Sequence, residues 1–186
     1  MPDPTPPAHL TVPVSDRDHV LGPADAALQL VMYGDYECPY TAMAHELIQE
    51  LLDALGERLC FVYRNFPLAD IHPHALQAAI AVEAAATEGR FWEMHHQLFS
   101  HQEALDEASL IRHAVAVGLD PARFTTELQE GKHEARVRQD FRSGEASGVR
   151  STPTFFLNGH RHREKFNLQA LVQEIFDVPG VDPGNE

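Results

Sequence analysis

The chain of 186 residues holds two cysteines and twelve histidines, the side chains with the widest chemical reach. Cys38 lies in Gly34-Asp35-Tyr36-Glu37-Cys38-Pro39-Tyr40-Thr41, between the apolar run Leu28 to Tyr33 and an amphipathic stretch that begins at Pro39. A cysteine that opens a helix directly after a strand meets unpaired backbone N–H groups and the positive end of the macrodipole, and both favour the thiolate. The thiolate is the nucleophile, so the chemistry on offer is exchange with disulfides or attack on a peroxide. Asp35 and Glu37 oppose it by their charge; the expectation is that both turn to water and leave the helix groups dominant. Thr41, about one turn further on, brings a hydroxyl that can donate to sulfur.

Cys60, between Leu59 and Phe61 in a run rich in aromatic and β-branched residues, reads as a small core filler. A strand that starts there beside a parallel neighbour has its start at the end away from Cys38, so no Cys38–Cys60 bridge is expected. His45 follows Cys38 by seven residues on nearly the same helical face, but ~10.5 Å along the axis at 1.5 Å per residue, too far to share a ligand. His72, His74, His95, His96, His160 and His162 have no partners at metal-site spacing and read as solvated or capping residues, so no metal is expected. Phe91, Trp92 and Phe99 read as core, and Glu37 as a solvated loop carboxylate with proton acceptor near the thiol as its alternative role.

The elements that position Cys38 follow from periodicity. Leu28 to Tyr33 predicts a buried strand. From Pro39 to Leu55, Met43, Leu47, Ile48, Leu51, Leu52 and Leu55 recur at helical spacing, with His45, Gln49 and Asp53 assigned to the polar face and Gly56 as C-terminal cap. Leu59 to Phe66 predicts a second strand, parallel to the first. Helices are predicted near 73–87, 90–101, 106–117, 121–130 and 132–147, with Asp120-Pro121 as cap and first turn of one of them. Thr154 to Leu157, the turn Asn158-Gly159 and His160 to Phe166 predict a hairpin, and Asn167 caps a last helix through Phe176. The order is βαβ, a helical block, then ββα.

Five prolines among the first thirteen residues predict an extended, flexible tail over 1–13, and Pro179, Gly180, Pro183 and Gly184 a second over 178–186. Lys and Arg number 14 against 28 Asp and Glu, a net charge of −14, which disfavours nucleic acid and anionic membranes. No run reaches the ~18 apolar residues of a membrane span, and residues 1–10 lack a signal-peptide pattern, so a cytoplasmic location is expected.

Several segments together resemble one family. They are Arg17-Asp18-His19-Val20, Gly22-Pro23, the loop Tyr33 to Tyr40, Phe61 to Leu68, His72-Pro73-His74-Ala75, Gly89 to His95, and Gly148-Val149 through Thr152-Pro153-Thr154-Phe155-Phe156-Leu157-Asn158-Gly159. In this order they are similar to the DsbA-like branch of the thioredoxin-fold oxidoreductases, over nearly the whole body of the chain. The resemblance implies an α/β thioredoxin fold over 14–69 and 148–177, with an inserted all-helical domain over 70–147. It implies that Cys38 is the attacking cysteine and that Thr152-Pro153 is the cis-proline loop, offering backbone to an extended substrate that Pro39, Tyr40 and Thr152 contact.

The family pattern Cys-x-x-Cys departs here to Cys38-Pro39-Tyr40-Thr41. In the dithiol mechanism the second thiol releases the substrate from the first, and Thr41 cannot do this. The expectation is a monothiol enzyme with Cys38, Thr41 and Pro153 as its catalytic set and no bound cofactor. It would act on protein or small-molecule thiols and disulfides, with glutathione or another low-molecular-weight thiol as co-substrate. The chemistry would be thiol–disulfide exchange, deglutathionylation, or peroxidase-like turnover through a sulfenic acid. The alternatives are a non-catalytic peptide-binding module, or a glutathione-using isomerase or transferase related to the kappa class. Those relatives carry serine at the first position, whereas Cys38 is retained here. The tract His160 to Phe166 departs as well, where the family often has a glycine before the last helix.

Overall fold

The computed structural model describes residues 7–164 and 167–179. Strand β1 (His19–Leu21) precedes β2 (Leu28–Gly34), α1 (Pro39–Leu55), a 3₁₀ turn at Gly56–Arg58 and β3 (Leu59–Asn65). β2 and β3 run parallel from Leu28↔Leu59 to Gly34↔Asn65, as a helical crossover between them requires. Pro39 occupies the first helical position of α1, and Gly56 ends it at φ 51°. Helices α2 (Ala75–Ala86), α3 (Phe91–Phe99), α4 (Glu107–Ala116), α5 (Pro121–Gln129) and α6 (Glu134–Ala146) follow, then β4 (Thr154–Leu157), β5 (His160–Arg161) and α7 (Leu168–Phe176). The sheet order is β1-β3-β2-β4-β5, with β1, β4 and β5 each antiparallel to its neighbour. Asn158 and Gly159 turn the last hairpin with φ of 47° and 79°, the left-handed pair that a two-residue loop of this kind demands.

One face of the sheet (Leu30, Met32, Phe61, Tyr63, Phe155) is packed into a core with Ala44, Ile48 and Leu51 of α1, the apolar residues of α2 to α5, and Leu171 and Ile175 of α7. The other face (Val31, Tyr33, Cys60, Val62, Phe156) is covered by Leu10, Val14, Phe66, Phe141 and Val149.

Four expectations are corrected. β1 escaped detection because three residues carry no measurable periodicity. Residues 8–13, expected as flexible tail, are tied down: Leu10 N–H bonds the Gly159 carbonyl, Arg161 N–H bonds the Ala8 carbonyl, and Thr11 bonds Ser147 and Ala146. Residues 1–6 of that tail and 180–186 of the other lie outside the described residues. The strand expected over His160 to Phe166 pairs only at His160–Arg161, with Lys165 and Phe166 outside the described residues. In α1, His45 is buried and Met43 is 58% exposed, the reverse of the expected faces. The buried stripe is Thr41, Ala44, His45, Ile48, Leu51 and Leu55, at strict 3–4 spacing.

Candidate functional site

Cys38 is the N-cap of α1, with extended backbone (φ −79°, ψ 119°), and the residue is only 4% exposed. Its Sγ donates to the Thr152 carbonyl oxygen at 3.3 Å, which holds the thiol against the Thr152–Pro153 peptide bond, and that bond is cis. Pro153 and Thr152 are both buried there. The helix offers its sulfur less than expected. Pro39 has no N–H, and the Thr41 and Ala42 N–H groups both bond the Cys38 carbonyl (3.0 and 3.2 Å), so no capping bond reaches Sγ. What remains of the helix effect is the macrodipole.

Of the two loop carboxylates Asp35 does not turn to water, contrary to expectation, and Glu37 stays half-exposed. Asp35 is buried, accepting from Glu37 N–H (2.8 Å), Leu68 N–H (2.9 Å) and His72 Nδ1 (2.8 Å). Glu37 Oε2 accepts from His74 N–H at 2.6 Å. Together they latch the Cys38 loop to the segment 67–74, with Glu37 half-buried and only its Oε2 engaged in that latch. His72 and His74 thereby have structural roles at the latch.

A second clasp comes from the helical block. Gln102 Nε2 donates to the carbonyls of Tyr36 (2.8 Å) and Cys38 (2.9 Å), fixing the loop from above; a lone glutamine in an interhelical link gave no sequence signal. Tyr36, also unflagged by the sequence, is buried with its hydroxyl 2.8 Å from His95 Nδ1. Burial pushes the Tyr36 and Tyr63 phenols well above their ordinary range, Tyr36 helped next by Tyr63 and Tyr63 by the Asp35 charge, so both stay neutral.

Thr41 is fully buried, and its Oγ1 makes no hydrogen bond, so the expected bond from this hydroxyl to sulfur is not formed. Tyr63 OH and Thr152 Oγ1 are likewise buried without a hydrogen-bond partner. Each such orphan costs about 1–3 kcal/mol relative to a satisfied group, which makes three in one neighbourhood notable. Gly34 lies among them: a Cβ there would stand 2.8 Å from Thr41 Cγ2 and 2.6 Å from Tyr63 Cε2. Gly34→Ala is therefore expected to cost about 1–3 kcal/mol by overpacking, read as a lower urea midpoint at unchanged slope.

Tyr40 is exposed on the first turn of α1 and shares a face with exposed Met43. Cys60 pairs with Gln29 five residues before Gly34, about 16 Å down the sheet at ~3.3 Å per residue, and its side chain lies in the opposite face's core. Burial pushes its thiol up, so it stays protonated. His45, His95 and His96, expected as solvated or capping, instead form a cluster between α1 and α3, with His45 Nε2 3.3 Å from His96 Nδ1 and His45 stacked on Phe99. Among the described residues no three His, Cys, Asp or Glu side chains converge as a metal site. Phe91 and Phe99 are buried in the core and Trp92 packs against it.

A family model described as Thioredoxin matches residues 14–177. Among solved structures, oxidised BdbD from Bacillus subtilis superposes with a TM-score of 0.80 at 21% identity, covering 90% of this chain and 96% of that one. A thioredoxin-like oxidoreductase from Silicibacter pomeroyi DSS-3 gives 0.71 at 26% identity over 86% and 92%. Alpha-DsbA1 from Wolbachia pipientis gives 0.76 at 18% identity over 91% and 94%. In sequence, the chain is 46% identical over 171 residues to a protein named Na(+)/H(+) antiporter NhaA 3 of Salinispora tropica, covering 91% of this chain and 26% of that protein. It is 43% identical over 162 residues to Na(+)/H(+) antiporter NhaA 1 of Mycolicibacterium vanbaalenii, again 26% of its length. The chain thus spans about a quarter of these relatives. With the match extending over nearly the whole body and the architecture shared with DsbA-type structures, the chain belongs to the thioredoxin family and carries the DsbA-type form of its fold.

Proposed function

We propose that the protein is a thiol–disulfide oxidoreductase working through the single thiol of Cys38. The observation that carries this reading is the pairing of Cys38, at the N-cap of α1, with the carbonyl of Thr152 before cis Pro153, while Thr41 stands where a second thiol would be. The Cys38 thiolate attacks a disulfide of a protein or a small molecule; a new S–S bond forms at Cys38 and the partner's other sulfur leaves as thiolate. An external low-molecular-weight thiol such as glutathione, abundant in a reducing cytoplasm, then attacks the mixed disulfide and restores Cys38. Asp35, Glu37 and Gln102 keep the loop in place, and Pro39, Tyr40 and Thr152 border the approach to sulfur as the substrate-contacting set. No bound cofactor is needed for these steps.

Incubation of the reduced protein with oxidised glutathione is expected to give a mixed disulfide by intact mass, lost in Cys38→Ser and retained in Cys60→Ser. Absence of the adduct would overturn the reading. Peptide capture unchanged in Cys38→Ala would then assign a binding module, and calorimetric affinity for reduced glutathione a transferase. As for the antiporter relatives, cation transport needs membrane-crossing elements, and no helix among the described residues is long and apolar enough to cross a membrane. We assign the antiport activity to the remaining three quarters of those proteins and the thiol chemistry to the part shared with this chain.

A further inference from the structure

We infer that Cys38 also reduces small hydroperoxides, passing through a sulfenic acid held by the hydroxyls of Thr41, Thr152 and Tyr63. This rests on the proposed reading only for the nucleophilicity of Cys38. The three residues come from three elements: α1, the loop before β4, and β3. Cys38 and Thr41 occupy N-cap and N3 of α1, the two positions whose side chains face each other at a helix start. Thr152 presents its carbonyl at 3.3 Å from Sγ. Tyr63 OH would be 2.9 Å, and Thr41 Cγ2 2.8 Å, from a Cβ on Gly34, so these two side chains meet over that glycine at the end of β2 that leads into the Cys38 loop. Thr41, Thr152 and Tyr63 are each at least 98% buried, and each hydroxyl lacks a partner.

The resting thiol uses one element of this environment, the Thr152 carbonyl, and leaves the donors idle. A thiolate would use the donors but face that carbonyl, an acceptor. A sulfenic acid uses both: its oxygen accepts from hydroxyls while its O–H donates to the carbonyl. Buried hydroxyls without partners are uncommon enough to call for such a complement. Thr41 in the resolving position and Cys60 down the sheet leave no internal thiol to condense with the sulfenic acid, which therefore persists until an external thiol arrives.

The thiolate attacks the terminal oxygen of ROOH; an S–O bond forms and the O–O bond breaks. Sulfur loses two electrons, and the leaving oxygen takes the proton released by the thiol and departs as ROH. A low-molecular-weight thiol then attacks sulfur, forming an S–S bond and expelling water, and a second such thiol frees Cys38 as its own disulfide is made.

The test treats the reduced full chain with hydrogen peroxide and traps with dimedone, read by intact mass. A single adduct is expected, absent in Cys38→Ser. Thr41→Val and Tyr63→Phe are each expected to slow its formation about tenfold, the effect of losing one hydrogen bond to a developing charge, whereas Thr41→Ser keeps the hydroxyl and the rate. Tyr63→Phe removes one oxygen and serves if Thr41→Val fails to fold. Oxidation no faster than that of free glutathione, or rates unchanged in both hydroxyl variants, would overturn the proposal. A glutathione mixed disulfide without a dimedone adduct removes this inference and leaves the exchange reading standing; absence of both products removes both.

Discussion

Asp18→Asn is expected to destabilise the protein by about 3–5 kcal/mol, because it strands a buried guanidinium. Asp18 and Arg64 side chains are fully buried and meet through two parallel bonds, Nε–Oδ1 at 2.8 Å and Nη2–Oδ2 at 3.0 Å. The remaining Arg64 donors go to the carbonyls of Val12 (2.9 Å) and Pro13 (3.1 Å) and to Tyr33 OH (2.9 Å), so all five N–H groups are occupied. Burial alone would raise the Asp18 carboxyl; the hydrogen bonds and charge of Arg64 outweigh it and hold the group below its ordinary value. Its contribution is therefore present above the unfolded value near pH 3.9 and is lost as pH falls through the depressed native one. Asparagine keeps the shape but removes the charge and turns one acceptor into a donor aimed at Arg64. Urea denaturation should show the loss, with exposed Asp16→Asn as a neutral control. Asp18→Leu with Arg64→Met should recover part of it, since a packed apolar pair has no charge to strand. A loss below about 1 kcal/mol for Asp18→Asn would mean that water reaches the guanidinium.

That pair explains what the N-terminal segment does. Prolines at 6, 7 and 13 break both helical and strand patterns, so 1–13 reads as tail. Yet the carbonyls of Val12 and Pro13, which proline leaves free as acceptors, are what Arg64 needs, and Leu10 and Val14 share with Phe141 of α6 the covering of that sheet face. An arginine inside an apolar strand, flanked by Tyr63 and Asn65, was the available signal. It demands buried acceptors, but nothing local says from where.

The site divides in the same way. Cys38, Pro39 and Thr41 are legible because their meaning depends on neighbours in the chain: strand, loop, helix start. The opposing Thr152–Pro153 loop is more than a hundred residues away and came from resemblance, not from spacing. Gln102, Tyr36 and Tyr63 act through contacts that only the folded chain creates. Asp35 departs from expectation because a charged loop residue is ordinarily solvated, whereas the segment that follows the neighbouring strand β3 brings the backbone N–H of Leu68 to Asp35 and that of His74 to Glu37. His45 was misplaced by polarity. At strict 3–4 spacing it falls on the buried stripe between Thr41 and Ile48, and a neutral imidazole can stack there like an aromatic ring.

Lowering the pH from 7 to 5 is expected to destabilise the protein through that same histidine and its neighbours. His45 of α1 packs against His95, His96 and Phe99 of α3, and burial, then the His96 charge, pushes it down to about 4. His95 is driven well below its usual range by burial and then by His45 and His96; His96 is lowered by burial, which the nearby Glu93 only partly offsets. Below the unfolded value near 6.5 the unfolded chain takes up protons that the native rings refuse, so stability falls as pH falls. At 1.4 kcal/mol per pH unit per ring, His45 alone accounts for about 2 kcal/mol at pH 5, and the other two act in the same direction. With both outer rings contributing, the melting temperature should drop by roughly 10 °C. Glu127, held at about 2 chiefly by Lys132 and His133, and Asp18 lose their stabilisation only at lower pH, outside this window. The discriminating variant is His45→Phe, which keeps the stack on Phe99 and cannot take a proton. Its unfolding free energy between pH 6.5 and 5 should fall less steeply than the wild type's by about one proton, a difference in which groups common to both proteins cancel. Equal slopes would place the acid sensitivity elsewhere. Since α1 carries Cys38 at its first cap and this seam fixes α1 against α3, the loss should appear first as lower hydrogen-exchange protection of the α1 amides, ahead of global unfolding.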